Sequence, residues 1–425
     1  MKALFVPFGA SLAHVSRCLA VAEAWREQGH TALFAVGAEQ TKWVQSIGFE
    51  TYAVPEVPGK VLHADRTLGW VTREYIHRNV QDERRILTDV QPDVVVFDFR
   101  FTTALSARLA GIPSVSILHG NLLHLALNPC ETVQRQFGDA KHARGIAALR
   151  LKAMRRLSSV VFPLFMRSVV RPVNEIRKRH GLQPVNSPFE LLLGDETIAA
   201  DIPSLLPPEL PPHCSVTGPL MWSGWANPEP WLDELSQRPL IYVTMGSTVD
   251  VQVILVKVID ALRDAPYNIV VSTGEQALPN DLRWPSHIHV FPSVSGEAVM
   301  RRSIAVVFHG GHGTLMQALK AGTPSLMLPA NPDQILVAQQ VQALGVGHIL
   351  RHTNGPPIGN KVFDKITSSQ IRYAVDKLVA DQQCAQACKM IAQDIERYDS
   401  AAVSVEILKR MATRQSDQIP GSGYG

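Results

Sequence analysis

The chain has little cysteine: five residues in 425, Cys18, Cys130, Cys214, Cys384 and Cys388, with no CxxC pair. That scatter excludes a disulfide framework and the paired spacing of a structural zinc site. It suits a reducing cytoplasm. Cys384 and Cys388 stand one helical turn apart, a spacing that ordinary small helix residues explain, and they are assigned no role. Long apolar runs are missing too, since no window reaches the ~18 residues a membrane span needs. Nor is there an excess of one charge. The 41 basic and 38 acidic side chains leave a formal net charge of +3, which gives no reason to expect nucleic acid.

What is present is core-forming material, with 46% hydrophobic and 19% charged residues. Such a chain can bury apolar surface along most of its length, and at ~150 residues per domain it divides into two or three domains. The start, MKALFVPFGASLA, imitates a signal peptide, but a helix through Leu19 to Trp25 and a second apolar run, TALFAV, continue it as strand, helix, strand. DVVVFDF and PSVSIL follow in the first half. LIYVTMGS, a helix near Val251 to Arg263, YNIVVST, HIHVF, AVVFHGG, a helix at Thr314 to Ala321 and PSLMLP repeat the scheme in the second. Short apolar strands alternating with helices predict an α/β protein of two doubly wound parallel sheets, with ligands at the carboxyl ends of the strands, where facing sheets would share a cleft. Pro203 to Trp231 holds eight prolines and three tryptophans, which exclude long helices and mark a linker whose tryptophans either pack it against the domains or form a binding surface. The expected division is a first domain at 1–215, a linker at 216–234, a second domain at 235–395, a helix at about 396–413 packing back on the first domain, and a disordered tail at 414–425.

The densest signal is FHGGHGTLMQALKAGTPSLMLPANPDQ, Phe308 to Gln334, where His309 to Thr314 contains three glycines and two histidines. A strand runs into a glycine-rich turn that opens a helix. Backbone can approach a ligand there, and the free N–H groups and dipole favour an anion, so the segment reads as a phosphate cradle or as a tight turn without a ligand. It lacks the lysine of a GxxxxGK[ST] loop and the spacing of GxGxxG. No cysteine or carboxylate completes a zinc ligand set with His309 and His312 before Asp333, so no metal is assigned.

The stretch resembles the donor-binding signature of glycosyltransferase family one, the nucleotide-sugar transferases of the GT-B fold. YVTMGS and LAHVSRCLAVAEAWREQGH resemble that family's opening of the second domain and its first helix, so the likeness covers nearly the whole chain. It implies a nucleotide sugar, UDP- or dTDP-linked, as donor substrate, with no other cofactor. On this likeness His309 contacts the diphosphate beside the N–H groups of Gly311, His312, Gly313 and Thr314, with Ser247 adding a hydroxyl. Asp333 and Gln334 bind sugar hydroxyls; without the likeness, the pair following a proline reads as a plain helix N-cap. Three positions depart from the family: Gln317 replaces a ribose-binding glutamate, Phe291 a base-stacking tryptophan and Val294 a glutamine. His312 stands where plant members carry tryptophan.

In inverting members a histidine in the first loop is the general base on the acceptor hydroxyl, oriented by an aspartate after a later strand. The likeness assigns these roles to His14 and Asp98, although the common GHxxP reads AHVSR. Taken alone, His14 is also an ordinary helix-start histidine. An alcohol is a poor nucleophile near neutral pH, and a carboxylate on the far ring nitrogen fixes the tautomer. SILHGNLLHLALNPC is expected on the acceptor side, with His119 and Asn121 as acceptor contacts.

Lys141 to His180 holds eleven of the basic residues and one acidic residue, Glu175, leaving 30 basic against 37 acidic elsewhere. Interleaved with Leu, Val, Phe and Met, it reads either as a segment resting on anionic lipid at the inner face of a membrane or as a solvated helix walling the acceptor pocket. The expected function is an inverting, metal-independent glycosyl transfer to a small apolar acceptor, a natural product or lipid. A silent nucleotide-binding partner of another transferase and a 2-epimerase of the same fold are the alternatives, and the number of subunits is left open.

Overall fold

In the computed structural model the described residues are 1–9, 11–57, 68–135, 145–222, 224, 229–235, 237–246, 252–278, 283–351 and 361–417. They fall into two compact units. The first lies within Met1–Thr132, Ile146–Trp222 and Asp399–Gly425, the second within Val133–Gly145 and Ser223–Tyr398.

The first unit is built on a seven-stranded sheet of β1 (Lys2–Pro7), β2 (Thr31–Val36), β3 (Glu50–Ala53), β4 (Val94–Asp98), β5 (Ser114–Leu118), β6 (Glu196–Ala199) and β7 (Cys214–Val216). The order is β3-β2-β1-β4-β5-β6-β7, and every pairing is parallel. Alternation along the strands sorts the core. Ala3, Phe5, Val94 and Val96 pack with Leu19 and Trp25 of the helix Leu12–Glu27 and with Val405, Leu408 and Met411 of the helix Ser400–Asp417. Leu4, Val6, Val95 and Phe97 face the other way, against Ile86, Leu87 and Val90 of the helix Arg73–Val90. Strands covered on both faces must be apolar throughout, which is why they read as unbroken runs. Trp222 packs against the first of these clusters, edge-on to Trp43 at 5.5 Å.

The second unit has a six-stranded parallel sheet of β8 (Leu240–Thr244), β9 (Asn268–Ser272), β10 (Ile288–Phe291), β11 (Ser303–Phe308), β12 (Ser325–Met327) and β13 (Gly347–Ile349), in the order β10-β9-β8-β11-β12-β13. In both sheets the strand order reverses beside the first strand, between β1 and β4 and between β8 and β11. The carboxyl edge at such a switch point is where open α/β sheets bind ligands, because the connections leave in opposite directions and open a crevice.

Candidate active site

His14 and Asp98 meet at the first of these switch points. β1 ends at Pro7 opposite Asp98, and the Phe8 N–H donates to the Asp98 carbonyl at 2.9 Å. The following helix begins at Leu12, which puts His14 in its first turn and Arg17 one turn later on the same face. His14 Nδ1 lies 2.6 Å from Asp98 Oδ1. Arg17 Nε donates to Asp98 Oδ2 at 2.7 Å and its Nη2 to Oδ1 at 3.1 Å, with Nη2 also 2.9 Å from His14 Nδ1. Burial opposes the Asp98 charge, but the Arg17 guanidinium and the His14 imidazole outweigh it and hold the carboxyl below its ordinary value. A carboxylate that stays ionised accepts a hydrogen bond from the Nδ1 N–H, which leaves the ring's lone pair on Nε2.

Two further elements hold this arrangement. Phe99 adopts a left-handed φ of 54°, rare for an aromatic residue, and its ring stacks on His14 with centroids 5.1 Å apart and planes at 12°. Phe8 meets both rings edge-on, and Trp70 and Phe101 extend the aromatic wall. Behind it, the buried Arg100 pairs with Glu56 at 3.0 Å, and Glu56 Oε1 accepts the Gly9 N–H at 2.9 Å, tying the loop after β1 to the chain just past β4. Arg17, Phe99, Phe8 and Trp70 were not singled out in the sequence. Arg17 carried a signal, since it stands three residues past His14, where the family's proline is replaced.

At the second switch point β11 delivers His309, 5% exposed, to the start of the helix His312–Ala321, whose N-cap is Gly311 without a side-chain cap. A Cβ on Gly311 would lie 2.7 Å from His309 Nε2, and one on Gly246, at φ +67°, would lie 2.7 Å from its Cε1. Glycine at these two positions therefore houses the imidazole. Burial lowers the His309 pKa to about 4, so the ring is neutral, and among the described residues its Nδ1 has no hydrogen-bond partner. A buried ring nitrogen left without a partner, next to uncapped helix N–H groups, fits an anionic ligand with hydrogen-bond capacity.

The remaining predicted donor residues are distributed as follows. His312 is the first residue of that helix and buried, with Gly313 and Thr314 half-buried beside it. Gln317 lies one turn on, its Oε1 against Gly296. Phe291 ends β10, and Trp231 packs over it with centroids 4.4 Å apart. Val294 is half-buried before Ser295, whose N–H donates to Glu229 at 2.6 Å, and the same carboxylate accepts from Trp231 Nε1. Asp333 sits in the first turn of the helix Pro332–Ala343. Gln334 is buried and engaged: its N–H donates to Asn331 Oδ1 at 2.9 Å and its Oε1 accepts the Ala330 N–H at 2.8 Å. The helix cap is thus Asn331, and the Gln334 side-chain oxygen is already engaged by a backbone N–H. Ser247 lies outside the described residues. His119 is the N-cap residue of the helix Gly120–Leu127 and Asn121 lies in its first turn, both buried.

The chain's likenesses agree with this architecture. The C-terminal domain of erythromycin biosynthesis protein CIII-like proteins matches residues 256–411. A PGL/p-HBAD biosynthesis rhamnosyltransferase of Mycobacterium bovis (strain BCG / Pasteur 1173P2) is 30% identical over 387 residues, covering 89% of this chain and 83% of its own length. A PGL/p-HBAD biosynthesis glycosyltransferase of Mycobacterium tuberculosis (strain ATCC 25177 / H37Ra) is 30% identical over 407 residues, covering 92% and 88%. Among solved structures, the calicheamicin glycosyltransferase CalG4 matches with a TM-score of 0.71 at 19% identity over 97% of this chain and 99% of its own. The spinosyn rhamnosyltransferase SpnG matches at 0.70 and 18%, over 96% and 100%, and has also been solved with thymidine diphosphate and with spinosyn aglycone. The structural likeness shows the GT-B fold. The chain belongs to the glycosyltransferases of family one, of the bacterial natural-product type, and is an enzyme of that class.

Proposed function

We propose that the protein moves a sugar from a dTDP- or UDP-sugar to a hydroxyl of a small apolar acceptor with inversion at the anomeric carbon. The observation that carries this reading is the His14–Asp98 pair, 2.6 Å apart at the carboxyl edge of β1 and β4. His14 Nε2 takes the acceptor proton as its oxygen attacks the anomeric carbon, and Asp98 stabilises the imidazolium that forms. The bond to the diphosphate breaks with its electron pair on the departing oxygen, whose charge is met by the helix N–H groups after Gly311 and by His309. These donors, rather than a metal ion, are assigned the leaving charge. The aromatic wall of Phe8, Trp70, Phe99 and Phe101 supports an apolar acceptor. The thymidine diphosphate complex of a neighbour and the rhamnosyltransferase relatives support a dTDP-linked deoxysugar as the first donor to try.

The test is a thermal-shift panel of dTDP, UDP and their sugars, then a screen of hydroxylated apolar acceptors with the best donor, reading product anomeric configuration by NMR. Stabilisation by a nucleoside diphosphate and an inverted product are expected. No stabilisation by either nucleotide, or a retained configuration, would overturn the proposal.

A further inference from the structure

Fourteen large apolar side chains are exposed among the described residues, and half of them lie on one helix, Gly145–Val169. The five most exposed on that helix, Leu149, Leu157, Val160, Val161 and Leu164, are each 51 to 70% accessible. At about 100° per residue they share one arc of roughly 120°. The opposite side is anchored, with Met166 and Val169 buried in the apolar cluster that also contains Phe8 and Trp70. One helix therefore has two apolar faces, of which the inner belongs to the core cluster and the outer meets solvent. A contiguous exposed stripe of this size is uncommon on a soluble surface and marks an interaction site.

The charge around the stripe identifies the partner. Lys152, Arg156 and Arg167 are exposed along one shoulder, and the helix contains no acidic residue; Arg171, just beyond it, pairs with Glu175 at 3.8 Å. A second copy packed on this face would bring like charges together with no carboxylate on the helix to neutralise them. No helix among the described residues is long and apolar enough to cross a membrane. We propose that the outer face of Gly145–Val169 docks on an anionic phospholipid bilayer, the leucines and valines entering the acyl boundary while the lysine and arginines meet the headgroups. The inference goes beyond the transfer reaction and does not depend on it.

The test is flotation of the full chain with vesicles of phosphatidylcholine alone and of phosphatidylcholine with about one third phosphatidylglycerol. The protein should float with the anionic vesicles, poorly with the neutral ones, and less as salt rises. Lys152→Ala/Arg156→Ala/Arg167→Ala should weaken binding by about fivefold per cation removed. Leu157→Ser/Val161→Ser/Leu164→Ser should abolish it while the circular dichroism spectrum stays unchanged. The proposal fails if the wild-type chain does not float with anionic vesicles, or if the serine variant floats equally well. It fails also if light scattering finds a wild-type dimer that the serine variant turns into monomer, because the face would then join two copies of this chain.

Discussion

His14 follows β1 by seven residues and His309 directly follows β11, each beside the switch point of its own sheet, yet their surroundings are opposite. Around His14 the charges are complete: Asp98 and Arg17 satisfy one another and the imidazole Nδ1, and Phe99 fixes the ring plane. Around His309 a polar group is left unmatched: its Nδ1 has no partner among the described residues, the helix beyond has no side-chain cap, and the lack of a Cβ at Gly246 and Gly311 leaves room for the ring. On the proposed function this difference has a reason: a site that pulls a proton from a neutral alcohol needs its electrostatics built in, since the substrate brings none, whereas a site for a diphosphate leaves donors open, because the ligand supplies the acceptors.

This contrast can be broken from either side. The largest effect is expected from His14→Ala, which should lower turnover by about 10²–10⁴ while leaving nucleotide binding and thermal stability near wild type. Asp98→Asn should cost about 3–5 kcal/mol in urea unfolding at pH 7, because the buried Arg17 loses its counter-charge. Folding holds Asp98 below its unfolded value, so this contribution is present above about pH 4 and fades as pH falls through the folded value.

His309 should act in a different window. Its unfolded imidazole titrates near 6.5 and its folded one at about 4. Between these values the unfolded chain binds a proton that the folded chain does not. His309 should therefore contribute about 3 kcal/mol more stability at pH 7 than at pH 4, read as the difference between wild-type and His309→Asn unfolding curves at both pH values. Gly246→Ala, with its Cβ against the ring and a left-handed φ, should cost about 1–3 kcal/mol of stability and weaken nucleotide binding, leaving His14 chemistry per bound donor unchanged. The smallest effect is expected from Phe99→Ala, which removes stacking worth about 0.5–1.5 kcal/mol and should slow turnover by tenfold or less.

Much of the fold is legible in the sequence because parallel strands buried on both faces leave apolar runs that few other structures produce. ALFVP, TALFAV, VVVFD and SIAVVF are of this kind. β3, β6, β7 and β13 are three or four residues long, and their mixed sequences, such as ETYA and GHI, carry no such run. The helix Arg73–Val90 passed unnoticed under its charges. At the site, His14, Asp98 and His309 are legible through the resemblance, but their electrostatics are not. Arg17 can be found only by asking which residue shares a helix face with His14. The φ of 54° at Phe99 has no signature at all, because nothing in an aromatic residue favours it. Gln334 illustrates a competing demand: Asn331 followed by Pro332 and Gln334 three residues on already spells a helix start, and the backbone N–H of Ala330, just before the cap, takes the amide oxygen.

The most direct measurement is calorimetric titration of dTDP and UDP into the wild type, His14→Ala and His309→Ala. The account predicts wild-type affinity in His14→Ala and roughly 10- to 100-fold weaker binding of the preferred nucleotide in His309→Ala. Undiminished binding in His309→Ala, or an equal loss in both variants, would contradict the assignment of the His309 turn to the diphosphate.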